Sequence, residues 1–334
     1  MDTTAVAKPA QISNETHRAD SIDAHAHWAP EAYARLVEKM GHTTGMTPMN
    51  PLMSNLEQRM KWMDSRGVRT HALTLSGRMP WQWATQEQAE RLARAVNDAA
   101  IEAHKAYPTR FVAGVAMPMR DPVAAMRELD RVAGEPGIRA VHLPNSVEGR
   151  DYIFEPQYRP ILARCEELGY PVLFHPLDGV ENHYGGRERL AGPAFIYNTL
   201  GFPFETATTA TKFIYSGLLD KFPRLDIVLP HSGGCFPYIA GRIEHSISKG
   251  AAKVELKHPF RDYIRRFHYD TLAYYPETLR FLIDLVGSDR VVIGTDNYAV
   301  MDVDEPNALV ERLGLPAADR ERILRGNAAR LLRL

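Results

Sequence analysis

Residues 111–144, FVAGVAMPMRDPVAAMRELDRVAGEPGIRAVHLP, contain one complete strand–helix–strand unit. The run Phe111–Ala116 carries no polar side chain, as suits a strand covered on both faces of a sheet. Asp121 then offers an N-cap side chain, Pro122 a preset first turn, and the helical stretch closes at Gly134. A second short apolar run follows at Ile138–His142. Two such strands joined through a helix are a parallel pair, because the crossover returns the chain to the same end of the sheet.

The alternation recurs along the whole chain. Further apolar runs at Ser21–His27, Thr70–Leu75, Val172–His175, Asp226–His231, His268–Leu272 and Val291–Thr295 bring the expected strands to eight. Between them lie helical stretches. SNLEQRMKWMDSRG, residues 54–67, repeats Leu56, Met60 and Met63 at i, i+4 and i+7, with Ser54 as the expected N-cap and Gly67 past the end. Gln86–Ala106, Gln157–Leu168, Thr206–Phe222, Phe236–Lys249, Pro276–Val286 and Ala317–Leu332 read the same way. Eight repeats of strand and helix predict an α/β protein, a single (β/α)8 TIM barrel over 21–334, behind a flexible N-terminal tail over 1–20. A doubly wound open sheet is the alternative with the same alternation.

Composition narrows the function classes. The chain has 334 residues, 45% of them hydrophobic and 24% charged, enough for a substantial core. Forty basic residues against 41 acidic ones leave a net charge of −1, so no basic footprint for nucleic acid and no polybasic membrane anchor is present. Two cysteines, Cys165 and Cys235, cannot build a disulfide scaffold. No window approaches the ~18 uninterrupted apolar residues of a membrane span. The first 20 residues lack an apolar signal core, which makes the cytoplasm the expected compartment.

Thirteen histidines stand out, and four of them fall where a barrel places its chemistry, at the C-terminal strand ends. His25 and His27 end the first strand, His175 the fifth, His231 the sixth, and Asp296 follows the eighth. Residues i and i+2 share a face of a strand, so both histidines of DAHAH can aim into the barrel mouth. Three imidazoles and a carboxylate form a ligand set suited to a first-row divalent metal with room for a bound water. His231, followed by the sharp turn SGG, reads either as a further ligand or, with one metal, as a general acid/base beside it. The fourth strand ends AVHLPNS, residues 140–146, with no lysine or glutamate to bridge a second ion, so one metal is expected. Cys235 has no paired base in the sequence and reads as a packing residue.

At these residues the chain resembles the amidohydrolase superfamily, and within it the amidohydrolase-2 group of aminocarboxymuconate-semialdehyde, 6-methylsalicylate and resorcylate decarboxylases. The shared texture spans nearly the whole chain: IDAHAHWAP, LFHPLD, GFPFETATTATKFIYSGLLDKFPRLDIVLPHSGGCFPYIAGRIEH, VVIGTDNY and RGNAARLL. The resemblance implies that His25, His27, His175 and Asp296 bind one divalent metal and that His231 transfers protons. It implies that Arg242, in GRIEH, holds a substrate carboxylate from a neighbouring subunit, and hence a homodimer or higher homo-oligomer. Three histidines and one carboxylate lean towards Zn²⁺, with Mn²⁺ and Mg²⁺ as the other choices.

The sequence departs from the family pattern: TTGMTPMNPLMSN carries no second substrate arginine between strands one and two, and Asn297 intervenes between Asp296 and the aromatic Tyr298. Two long loops are expected to shape the pocket. Arg78 and Trp81 come from SGRMPWQWATQ and Tyr197 from the loop spanning 176–205, as candidates for binding a planar acid. The function expected is metal-dependent, non-oxidative decarboxylation of a hydroxylated aromatic or enolic, muconate-type carboxylic acid, with His231, or Asp296 or its relayed water, as the catalytic group that protonates the ring carbon. The alternative on the same residues is metal-dependent hydrolysis of a lactone or C–C bond in an aromatic-degradation intermediate.

Overall fold

A computed structural model of the chain describes residues 20–43, 50–75, 83–147, 149–176 and 196–334. Eight parallel strands run in sequence order around one sheet: β1 Ser21–Trp28, β2 Val68–Leu75, β3 Phe111–Val115, β4 Ile138–Pro144, β5 Val172–His175, β6 Ile227–Leu229, β7 Phe267–Asp270 and β8 Val291–Val292. The sheet closes on itself. Just past β8, Ile293 and Asn297 bridge in parallel to Asp23 and Ala26 of β1, and the Ala24 amide donates to the Ile293 carbonyl at 2.9 Å. An open doubly wound sheet would leave β1 and β8 as edges, so the fold is a (β/α)8 barrel.

Most strands lie where their apolar runs placed them. β6 and β8 end early, because Pro230 and the turn at Gly294–Asp296 take the chain out of the sheet before His231 and Thr295. The expected tail lies, Asp20 apart, outside the described residues. Asp20 is held by an ion pair with Arg325 at 2.6 Å.

The main helices are α1 Glu31–Lys39, α2 Leu56–Arg66, α3 Gln86–Ala106, α4 Pro122–Val132, α5 Arg159–Leu168, α6 Phe202–Tyr215, α7 Phe236–Ser248, α8 Pro276–Val286 and α9 Asn327–Leu332. Asn55, not Ser54, caps α2, its side chain accepting from the Gln58 amide. Thr85 and Gln88 form a reciprocal capping box on α3, and Asp121 caps α4 as expected. The stretch expected as one helix over 206–222 starts earlier, at Phe202, and breaks at Gly217, whose φ of 69° no helix tolerates. The stretch 317–332 is interrupted by a wide turn at Arg322–Gly326.

Two apolar layers hold the barrel. Ile22, Ala24, Ala72, Val112, Ala140, Leu173, Val228 and Val292 fill the interior together with Ala328, Leu331 and Leu332 of α9. Outward side chains such as Leu73, Val141, Phe174, Leu229 and Tyr269 pack against Leu92, Leu129, Ile161, Phe213 and Leu279 of the helices. β1 carries an extra residue: pairing passes from Asp23↔His71 to Ala26↔Leu73, three steps against two. This bulge rephases the side-chain alternation. Ile22 and Ala24 line the interior below it, and His25 and His27 face inward above it.

Candidate metal centre

His25, His27, His175, His231 and Asp296 come together at the C-terminal mouth of the barrel. The Nε2 atoms of His25 and His27 are 3.2 Å apart, and those of His27 and His175 are 3.1 Å apart. Asp296 Oδ1 lies 3.0 Å from His27 Nε2, 3.6 Å from His25 Nε2 and 3.9 Å from His175 Nε2. His231 belongs to the same cluster. Its Nε2 is 3.9 Å from Asp296 Oδ2, and its ring centre is 5.4 Å from that of His25 and 5.3 Å from that of His175. One ligand atom from each of His25, His175, His231 and Asp296 fits within a 4.8 Å span.

The far side of each ring decides what these Nε2 atoms can be. His25 Nδ1 lies 2.7 Å from the Asp270 carboxylate, so it is the protonated nitrogen and its Nε2 is a lone pair in the neutral ring. His27 Nδ1 contacts Thr74 Oγ1 at 3.1 Å. Three Nε2 atoms, neighbours 3.1–3.2 Å apart with a carboxylate oxygen among them, form a donor set that a cation between them would satisfy. The residues therefore fit a divalent metal bound through imidazole Nε2 atoms, with the outer nitrogens of His25 and His27 held by hydrogen bonds.

Asp270 also shapes the turn after β6. Its carboxylate accepts the amides of His231 at 2.9 Å and Ser232 at 2.7 Å, and the Ser232 hydroxyl donates to its carbonyl. His231, Ser232 and Asp296 all have φ between 53° and 56°, the left-handed region that costs a non-glycine residue about 1–2 kcal/mol. The two Asp270 bonds hold that conformation for His231 and Ser232. The glycines that follow serve packing: a Cβ on Gly233 would press on the Tyr269 ring at 2.7 Å, and one on Gly234 would strike the Pro203 carbonyl.

A second buried network supports β1. Arg59 of α2, fully buried, donates to the carbonyls of His27 and Leu52 and lies 3.2 Å from His71 Nδ1, with its guanidinium over the Tyr298 ring. Asp23 accepts the His25 amide at 2.9 Å and the Thr295 hydroxyl. Burial raises the Asp23 pKa to about 6 despite those bonds and the nearby Arg59 charge.

The charges at the centre follow from burial and proximity. Burial opposes the charged form of His25, but its bond to Asp270 and the charge of Asp296 outweigh this and raise its pKa. Burial pushes His27 down and His175 well below the ordinary value, so both are neutral, as metal ligation requires. Burial would raise Asp296, yet the surrounding imidazoles hold it well below the usual carboxylate range.

The remaining expected residues divide. Tyr197 is half-buried, its ring centre 6.0 Å from Phe202, which stacks 6.5 Å from His231 and lies 6.2 Å from His175. The pair forms an aromatic wall beside the cluster. Arg242 is exposed on α7 and has no ion-pair partner among the described residues. Arg78 and Trp81 lie outside the described residues. Asp270 and Thr74 were not singled out in the sequence.

A family model described as Amidohydrolase matches residues 22–334. A gamma-resorcylate decarboxylase of Rhizobium sp. (strain MTP-10005) is 32% identical over 325 residues, 92% of this chain and 98% of its own length. A 2-amino-3-carboxymuconate-6-semialdehyde decarboxylase of Dictyostelium discoideum is 28% identical over 340 residues, 95% of this chain and 92% of its own. Among solved structures, a dihydroxybenzoic acid decarboxylase from Polaromonas sp. JS666, with bound manganese and the inhibitor 2-nitroresorcinol, matches with a TM-score of 0.79 at 29% identity, covering 94% of this chain and 97% of that one.

Proposed function

The chain belongs to the amidohydrolase family, and we propose that, as one barrel domain over 21–334, it is a metal-dependent, non-oxidative decarboxylase of hydroxylated aromatic carboxylic acids. The observation that carries the reading is the convergence of three Nε2 atoms and one carboxylate oxygen, with a fourth imidazole alongside, in a chain whose named relatives are decarboxylases. His25, His27, His175 and Asp296 would hold the cation. Manganese is the metal we assign, since it occupies the matched dihydroxybenzoic acid decarboxylase, although the ligand count alone leans towards zinc. When bound, such an ion supplies a positive charge that orients the acid's oxygens and stabilises the negative charge developing on the ring.

The chain's own residues supply the rest. Loss of CO2 leaves the C–C electron pair on the ring carbon, and a proton must arrive there in its place. His231 is the group we assign to deliver it. Its ring lies beside the cluster, and its backbone is fixed by Asp270. Phe202 and Tyr197 would wall the pocket with apolar surface and give the planar ring something to stack on. With the net charge near zero, an anionic substrate must be recognised by local groups and not by the overall field. Arg242, exposed on α7, is free to serve the site of a second subunit, so we assign the protein as a homodimer or higher homo-oligomer.

Replacing His231 with asparagine tests the assignment. Turnover of a dihydroxybenzoate should fall by about 10²–10⁴ while bound manganese stays near one ion per chain. Loss of the metal from H231N would instead make His231 a ligand.

A further inference from the structure

We propose that His142, through one buried water molecule, is the outer support of His175 and sets how firmly the metal is held. The inference rests on His175 being a metal ligand. Of the three imidazoles whose Nε2 atoms converge, two have their outer nitrogens engaged, His25 by Asp270 and His27 by Thr74. His175 differs. Its Nδ1 is buried and has no hydrogen-bond partner among the described residues.

If Nε2 of His175 is the lone pair facing His27, the ring proton sits on Nδ1 and needs an acceptor. The groups that could provide one are in place. His142 on β4 is 1% exposed, and neither of its ring nitrogens has a partner among the described residues. His142 and His175 line one cavity inside the barrel, together with His25, Thr74 and Asp270, of about 10 Å³. That is the room one water molecule needs, and the lining offers the polar partners a buried water requires. The ring centres of His142 and His175 are 6.4 Å apart, beyond a direct hydrogen bond and within the span of a single bridging water. The water oxygen accepts the His175 Nδ1 proton and donates to a lone pair of His142, fixing the His175 tautomer and ring orientation. No other role follows from His142's position: it is closed to solvent, and an imidazole with two idle nitrogens is a poor packing residue.

The test compares wild type, His142→Leu and His142→Gln. Manganese affinity is read from the six-line spin resonance of free Mn²⁺, and stability is read from thermal melts of the metal-free protein. Leucine should weaken Mn²⁺ binding by about tenfold while leaving the metal-free Tm equal or higher, because an apolar side chain replaces unpaired polar atoms. Glutamine, which can still bond the water, should recover most of the affinity. A crystal structure of the manganese-loaded wild type should show a water between His175 Nδ1 and His142. Equal Mn²⁺ affinity in wild type and H142L overturns the proposal, as does a wild-type structure without that water. If H142L fails to fold, the H142Q affinity and the wild-type water decide the matter on the same terms. The ligand assignment fails separately, through absent Mn²⁺ binding in wild type or undiminished binding in His175→Ala.

Discussion

Asp270 ties the site together at the level of single residues. One carboxylate orients His25, holds the amides of His231 and Ser232, and accepts the Leu272 amide at 3.1 Å. Burial would raise its pKa, but the bond to His25 lowers it, so the carboxylate is charged at neutral pH. Asp270→Asn should therefore weaken Mn²⁺ binding by about 10–100-fold in a metal titration; unchanged affinity would contradict the role. The four histidines and Asp296 were legible in the sequence, because ligand-type side chains at several strand ends are a pattern. Asp270 was not. The apolar run His268–Leu272 places Asp270 within a strand, whereas β7 ends on it. A lone aspartate also looks like any turn former.

At the scale of elements, β1 and the segment after β8 hold the decisive features. The bulge between Asp23 and Ala26 turns two histidines from the helix side to the mouth, and Arg59 of α2 anchors that strand from outside. Arg59→Met should lower unfolding free energy in urea by about 3–5 kcal/mol, since two buried carbonyls lose a charged donor. A change below about 0.5 kcal/mol, the range of ordinary surface substitutions, would deny that anchoring. Alternation showed that His25 and His27 share a face; it could not show which face, because a bulge leaves no apolar signature.

After β8, burial and then the charges of Asp304 and Asp296 raise the Asp302 pKa to about 6. Between the usual value of 3.8 and about 6 the folded state keeps a proton that the unfolded state has released, so this group's contribution to stability falls as pH rises through that window. In melts of metal-free protein, Asp302→Asn should be stabilised relative to wild type at pH 7 and indistinguishable from it near pH 4. An equal Tm difference at both pH values would mean that Asp302 titrates normally.

For the whole molecule, the barrel followed from evenly apolar strands alternating with capped helices, while its closure depends on bridges beyond β8 that periodicity does not carry. Helix interruptions at Gly217 and at Arg322–Gly326 escaped for the same reason: the apolar stripe continues through them. The near-neutral charge shifts substrate recognition onto the centre itself. The same five residues would serve hydrolysis as well as decarboxylation, and the two reactions differ in where solvent oxygen ends. Turnover of 2,6-dihydroxybenzoate by the manganese-loaded enzyme in H₂¹⁸O-enriched D₂O separates them directly. The account predicts one CO2 released per resorcinol formed, one deuterium at the vacated ring carbon, and no ¹⁸O in the aromatic product. Solvent ¹⁸O in that product, or no CO2 from any hydroxybenzoate offered to the metal-loaded enzyme, would contradict it.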